Sequence, residues 1–163
     1  MLLAIDPGPL ESAYVKINGD CRPVDFGKIA NHDLKRLLYR PDNAHLDHAA
    51  IEMIASYGMT VGADVFETCV WIGRFYEILD ATLGIEAQLI KRQSIKVHFC
   101  GTVKAKDQNV KQALVDRFAP EQWETGGKGT KANPGPFYGF RADMWQAYAL
   151  AVYAADQLKA PPF

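Results

Sequence analysis

Three acidic residues stand where an apolar sequence pattern does not predict a charge. Asp6 ends an apolar run and precedes a Pro-Gly pair, Glu52 lies inside a second apolar run, and Asp143 begins a long apolar segment. Each has an ordinary explanation as a turn residue, an ion-paired core acid or an acid at a helix N-terminus. Their joint occurrence on elements far apart in the sequence favours a metal site, because carboxylate oxygens bind hard cations.

The elements that carry these acids follow from the periodicity of apolar residues. The pattern predicts strands over 2–5, 13–17, 24–29, 49–54 and 86–90, and helices over 33–38, 62–83, 93–99, 107–118 and 142–158. Asn18-Gly19 favours a hairpin between the second and third strands, and Asn31 is expected to cap the first helix. Residues 120–140 lack periodicity and are rich in Gly and Pro, which predicts a long mobile loop. The sequence therefore predicts an α/β protein whose sheet begins as an antiparallel meander.

Length and composition predict one domain over residues 1–163. The chain has 163 residues, of which 48% are hydrophobic, and this is enough for one core. No basic leader precedes a sustained apolar stretch, and no run approaches the ~20 apolar residues of a membrane span. We therefore expect a cytoplasmic protein with no membrane partner. The three cysteines include no CxxC pair that would indicate a zinc or redox site.

Basic residues are concentrated in one part of the chain. Residues 91–117 contain seven basic and two acidic residues, whereas the remainder contains 11 basic and 17 acidic residues. This segregation is typical of a phosphate-binding face on an otherwise acidic protein, and a solvated helical face would also explain it. The candidate DNA-binding residues are five basic side chains and one aromatic side chain that could stack on an unpaired base: Arg92, Lys96, Lys104, Lys106, Lys111 and Tyr57.

The order of the elements and the positions of the acids resemble the ribonuclease H-like fold. Within that superfamily, Leu3-Ala4-Ile5-Asp6-Pro7-Gly8, Ala50-Ile51-Glu52 and the helix that begins Asp143-Met144-Trp145-Gln146 are similar to motifs of RuvC-type Holliday junction resolvases. The resemblance implies an α/β, ribonuclease H-like fold with a mixed five-stranded sheet flanked by helices. It also implies a homodimer, for which the surplus apolar surface of the helix over 62–83 would provide an interface.

The resemblance implies a Mg²⁺-dependent endonuclease of DNA recombination and repair, with Mn²⁺ able to substitute. Such an enzyme resolves four-way junctions and other branched DNA by paired nicks. Asp6, Glu52 and Asp143 would be the catalytic carboxylates and would hold two metal ions together with Gln146. The family pattern has a second acid where this chain has Gln146, and an amide oxygen can bind a cation without adding negative charge. We therefore expect weaker occupancy of one metal rather than loss of activity.

The sequence leaves other functions open. A chain with Gln146 could be a catalytically weakened or inactive junction-binding protein. A nuclease of the same fold could also act on flaps, forks or RNA-containing substrates. Sugar kinases and actin-like ATPases have a similar first loop, but that superfamily needs two such domains. A compact, single-domain format would suit a bacterial or phage genome.

Overall fold

The computed structural model describes residues 1–55, 58 and 60–159. Within these residues the strands and α-helices are β1 (Leu2–Asp6), β2 (Glu11–Ile17), β3 (Pro23–Ala30), α1 (Asn31–Leu38), β4 (His48–Met53), α2 (Ala63–Leu83), β5 (Gln88–Lys91), α3 (Arg92–Cys100), α4 (Asp107–Phe118) and α5 (Met144–Lys159). Short 3-10 helices lie at Pro41–His45 and Pro120–Thr125. No described helix is both long enough and apolar enough to cross a membrane.

The strands form one mixed sheet in the order β3-β2-β1-β4-β5. The meander of β1, β2 and β3 is antiparallel, whereas β4 is parallel to β1 and β5 is parallel to β4. The predicted five-stranded mixed sheet is therefore confirmed. Its central strands, β1 and β4, are short apolar runs because both of their faces are covered.

Helices cover the two faces of the sheet. On one face, α3, α4 and α5 pack against side chains that include Leu2 and Ala4 of β1. On the other face, α1 and α2 pack against side chains that include Leu3 and Ile5. Because side chains alternate along a strand, Asp6 belongs to the same face as Leu2 and Ala4. The first of the three acids therefore lies on the face that α5 covers.

The turn over residues 18–22 sets the register of the hairpin between β2 and β3. The side-chain oxygen of Asn18 accepts hydrogen bonds from the backbone N–H groups of Asp20 and Arg22. Cys21 in the same turn has a left-handed φ of 60° and is buried. The hydroxyl of Tyr148 on α5 donates a hydrogen bond of 2.9 Å to the Cys21 carbonyl oxygen. These contacts tie the turn to the core.

The segment between α4 and α5 is anchored by aromatic side chains. Phe137 and Phe140 are fully buried. Their rings pack against Trp145 and Tyr148 of α5 at centroid separations between 4.8 and 5.6 Å. A long mobile loop was predicted here. The segment is irregular apart from the 3-10 helix at Pro120–Thr125, and the two phenylalanines attach it to the core. They gave no periodic signal because they lie among Gly and Pro residues rather than on a helix or strand.

Candidate active site

Parallel pairing of β1 with β4 brings two of the acids to one edge of the sheet. Ile5 pairs with Ile51, and Asp6 and Glu52 are the next residues on their strands. Both are only partly buried, in contrast to the fully buried residues that precede them. Since parallel strands end at the same edge, the two carboxylates lie at the carboxyl ends of adjacent strands, where α/β proteins commonly bind ligands.

Asp143 reaches the same edge from the start of α5. Its carbonyl oxygen accepts hydrogen bonds from the backbone N–H groups of Gln146 and Ala147, each at 3.0 Å, so Asp143 immediately precedes the helix. The helix therefore starts two residues later than the sequence predicted. Asp6 and Asp143 line one pocket of 410 Å³ together with the loop over residues 7–11. The third acid thus faces the first across a solvent-filled space.

Burial and like charge act together on the Asp6 carboxylate. Burial, followed by the negative charge of Glu52, raises the pKa of Asp6 to about 8. Asp143 adds to this effect, whereas Arg92 and Lys28 oppose it. Burial also raises the pKa of Glu52, against the opposing charge of Arg92. The folded protein therefore disfavours the charged form of Asp6 unless additional positive charge is present.

Arg92 holds Glu52 from the adjacent strand. It is the first residue after β5, whose last residue pairs with Met53 of β4. Its guanidinium donates to Glu52 at 2.9 Å and lies 2.9 Å from the carboxylate of Asp107. The side chain of Glu52 is only 15% exposed, so this contact offsets much of the cost of placing its charge there. Arg92, a predicted DNA-binding residue, is thus bound to two carboxylates in this structure.

Four lysines predicted to bind DNA are placed close to the same edge. Lys96 lies 3.8 Å from Asp107, which begins α4 and contacts Arg92. Lys104 and Lys106 are exposed in the loop that precedes α4. The ammonium group of Lys111 lies 5.1 Å from the centre of the Trp145 ring on α5. The sixth predicted residue, Tyr57, lies outside the described residues.

Lys28 enters the site from β3 and was not identified from the sequence. Asp6 pairs with Ala13, and Ala13 pairs with Lys28, so the three residues form one row across the sheet. The small side chain of Ala13 leaves space between the two charged ones. The Lys28 ammonium group donates a hydrogen bond of 2.6 Å to Asp143, which raises the pKa of Lys28, and lies 4.0 Å from Glu11. Only the strand register reveals this lysine, because its position within β3 is otherwise unremarkable in sequence.

A buried hydrogen-bond network holds the loop that follows Asp6. The Asn31 side-chain amide donates to the Gly8 carbonyl oxygen at 2.9 Å. The Ser12 hydroxyl donates to the Asn31 side-chain oxygen at 2.6 Å and accepts from the Gly8 N–H at 3.3 Å. The backbone N–H of Asn31 also donates to the Leu10 carbonyl oxygen at 3.0 Å. Because Ser12 and Asn31 are each 1% exposed, the hydrogen bond between their side chains is made without competition from solvent.

Asn31 and Gly8 both restrict the conformation of this loop. The prediction that Asn31 caps α1 is wrong: Ala30 precedes the helix, and no side chain caps it. The amide of Asn31 binds the loop instead. A Cβ atom at Gly8 would lie 2.5 Å from the Glu11 carbonyl oxygen, so the turn has no room for another residue type there. The backbone that carries Asp6 is therefore fixed immediately after the carboxylate.

The donor chemistry of the site fits a hard divalent cation. Three carboxylates surround the edge, and the amide of Gln146 is partly buried one turn after Asp143. As the side chains stand, no three His, Cys, Asp or Glu residues of the described chain are arranged to hold an ion. Two of the acids are bound to cationic side chains, Glu52 to Arg92 and Asp143 to Lys28. Metal binding through the Oδ2 atom of Asp143 therefore requires its contact with Lys28 to open.

Comparison with solved structures identifies the fold. The chain is similar to RuvC of Thermus thermophilus in complex with a Holliday junction substrate, with a TM-score of 0.68 and 12% identity over 97% of this chain and 94% of that one. A second Thermus thermophilus RuvC structure gives a TM-score of 0.64 and 14% identity over 99% of each chain. Fowlpox virus resolvase in complex with its substrate Holliday junction DNA gives 0.54 and 11% over 96% of this chain and 99% of that one.

Neither a protein-family model nor a curated protein sequence matches the chain. The structural likeness nevertheless extends over nearly the full length of each solved protein. The chain has the α/β, ribonuclease H-like fold that the sequence motifs predicted, in the form found in RuvC.

Proposed function

We propose that this protein is a divalent-metal-dependent endonuclease that resolves four-way DNA junctions and other branched DNA by paired nicks. The observation that carries the proposal is the structural likeness, over nearly the whole chain, to two proteins solved in complex with Holliday junctions, RuvC and a poxvirus resolvase. In this chain the same fold has three carboxylates at the carboxyl edge of its central strands. A role in recombination and repair follows from this substrate.

Asp6, Glu52 and Asp143 would hold two Mg²⁺ ions, with Gln146 as a neutral ligand. Asp6 would hold metal together with both other acids, since Glu52 and Asp143 are each close enough to raise its pKa. Bound Mg²⁺, or Mn²⁺ in its place, lowers the pKa of an attacking water and neutralises charge on the leaving oxygen. Arg92 keeps the Glu52 carboxylate in one orientation through their 2.9 Å contact. The hydrogen bonds of Asn31 and Ser12 keep the Asp6 turn fixed while DNA binds.

The lysines near the edge would contact the phosphates around the cleavage point. Lys104 and Lys106 are exposed beside the start of α4, and Lys96 and Lys111 lie on the neighbouring helices. Such contacts position DNA without reading its sequence, and they weaken as the salt concentration rises. Selectivity for branched DNA would then come from the shape of the junction, with Tyr57 available to stack on an unpaired base.

A homodimer would place two equivalent sites on one junction. Phe66 and Val70 of α2 are 62% and 48% exposed, although α2 packs other apolar residues against the sheet. Beside them, a groove of 450 Å³ runs between α1 and α2. A two-fold contact along α2 would remove this apolar surface from water. We further propose that residues 1–163 form one nuclease domain that acts on DNA in the cytoplasm.

Cleavage of a labelled four-way junction tests the proposal. Wild-type protein, Asp6→Asn and the matched control Asp42→Asn, an exposed acid between α1 and β4, are incubated with the junction and with linear duplex in Mg²⁺, Mn²⁺ or EDTA. We expect paired, metal-dependent nicks in the junction from the wild type and Asp42→Asn, and none from Asp6→Asn. Forks, flaps and RNA–DNA hybrids in the same assay define the preferred substrate.

The alternative function of a junction-binding protein has a distinct result in the same experiment. Two features favour this alternative, the neutral Gln146 and the contact of Lys28 with the Asp143 carboxylate, because both reduce the negative charge available to a metal. Tight junction binding in EDTA and in Mg²⁺, with no cut in either metal, would support that alternative against the endonuclease. Gln146→Asp would then be the variant with which to restore cleavage.

A further inference from the structure

We propose that Lys28 is a built-in cation of the active site, which occupies Asp143 until a divalent metal displaces it and then binds the scissile phosphate. The proposal rests on the endonuclease function above and assigns a catalytic role to a residue outside the acidic motifs. Its basis is the row Asp6–Ala13–Lys28, which carries an ammonium group from the edge strand into the carboxylate cluster.

The two cations of the cluster differ in how firmly they are held. Arg92 is 26% exposed and binds two carboxylates with its planar guanidinium, so it is fixed. Lys28 is 39% exposed and binds Asp143 at 2.6 Å, with Glu11 at the limit of an ion pair at 4.0 Å. Its four-carbon side chain rotates easily, and ion pairs at this exposure are weak. Lys28 is therefore the cation that can move.

Lys28 and a metal ion compete for the same carboxylate. The Asp143 oxygen that accepts the 2.6 Å hydrogen bond is one of the two oxygens through which Asp143 would bind a metal. A divalent ion placed there would also repel the ammonium group at short range. Metal binding through this oxygen therefore requires Lys28 to separate from Asp143, which lowers the affinity of the site. Removing the ammonium group should raise that affinity.

A displaced Lys28 would remain in the place where phosphate must lie. Lys28 lines the 410 Å³ pocket with Asp6, Asp143 and Gly8, and the pocket is open to solvent. A DNA phosphate that is cleaved beside Asp6 would enter this space. Lysine ammonium groups bind phosphate oxygens as compact charges. The charge of Lys28 would then add to that of the metal ion, which Gln146 would hold less strongly than an acidic residue would.

The test measures metal binding and cleavage separately. Mn²⁺ affinity without DNA is measured by electron paramagnetic resonance for the wild type, Lys28→Met and Lys28→Arg. Lys131→Met, an exposed lysine of the segment between α4 and α5, serves as the control for charge removal. We expect about tenfold tighter Mn²⁺ binding in Lys28→Met, from the loss of one charge repulsion at short range, and no comparable change in Lys28→Arg or Lys131→Met.

The cleavage rate is then measured at saturating Mn²⁺ with the junction fully bound. We expect Lys28→Met to cut about tenfold more slowly than the wild type, in spite of its tighter metal binding, and Lys28→Arg to retain most of the rate. Unchanged Mn²⁺ affinity in Lys28→Met would overturn the competition, and an unchanged cleavage rate would overturn the phosphate contact. If no variant cuts any DNA, the endonuclease proposal fails, whereas the Mn²⁺ measurement still decides whether Lys28 competes with metal.

Discussion

The stability of the metal-free protein should fall as the pH rises, because folding buries the Asp6 carboxylate and places it beside other acids. Burial and Glu52 raise the pKa of Asp6 to about 8 in the folded protein, whereas an unfolded chain has a value near 4. Between these values the folded protein holds a proton that the unfolded chain has lost. The stability that the protonated Asp6 side chain contributes is therefore fully present below about pH 4, declines between pH 4 and pH 8, and is absent above about pH 8.

The size of the effect follows from the width of that window. At about 1.4 kcal/mol per pKa unit, a difference of about four units corresponds to roughly 5 kcal/mol in the free energy of unfolding. Asp6→Asn removes the charge at every pH. In EDTA the variant should therefore be nearly as stable as the wild type at pH 4.5 and several kcal/mol more stable at pH 8.5. Saturating Mg²⁺ should narrow the difference at pH 8.5, because an ion bound at the proposed site would stabilise the wild type by about 4 kcal/mol at a thousandfold excess over its Kd.

Urea denaturation at half-unit steps from pH 4.5 to pH 9 measures these differences. Asp42→Asn, which removes an exposed acid between α1 and β4, controls for the change in net charge. The reasoning is refuted if Asp6→Asn and the wild type show parallel stability curves in EDTA, or if Asp42→Asn gains as much stability as Asp6→Asn at high pH.

Three further changes test other contacts of the site. Arg92→Met should destabilise the protein by about 2–3 kcal/mol at pH 8, because it leaves the Glu52 charge without its partner. In urea denaturation, the double variant Arg92→Met/Glu52→Gln should recover most of this loss, and additive losses of the two changes would contradict the pairing. Asn31→Leu should lower the free energy of unfolding by about 2–3 kcal/mol, because it leaves the Gly8 carbonyl oxygen and the Ser12 hydroxyl without their hydrogen bonds. A thermal transition at the temperature of the wild type would contradict this expectation. Phe66→Asp should convert the proposed dimer into a monomer in light scattering, whereas Val24→Asp, which changes another exposed apolar side chain on β3, should not. A dimer that survives Phe66→Asp would exclude this face of α2.

The sequence was informative wherever a charge interrupted a regular pattern. Glu52 stood out because β4 is apolar on both faces, and the parallel arrangement of β1 and β4 follows from the helical segments between strands. Helix and strand bounds were accurate to about two residues, since the periodic segments are long and their ends carry Gly or Pro. These signals are local, so they could be found without knowledge of strand pairing.

Other parts of the site depend on contacts between distant residues. Lys28 lies on an edge strand with a mixed burial pattern, and its proximity to Asp143 depends on two successive strand pairings. Asn31 had the composition of a helix cap, but a buried serine on the neighbouring strand and the Gly8 backbone provided better partners. In each case a long-range contact outweighs the local preference on which the prediction was based.

The turn at residues 18–22 determines the charge of a site at the other end of the hairpin. Side chains alternate with a period of two, so a one-residue change in the pairing of β2 with β3 would turn Lys28 to the opposite face of the sheet. The side-chain bonds of Asn18 and the bond from Tyr148 to Cys21 protect the present pairing. A single-codon insertion or deletion in this turn would therefore take Lys28 out of the carboxylate cluster without changing any residue near the acids. On the proposed function, mutational scans of the hairpin should record it as a loss of cleavage.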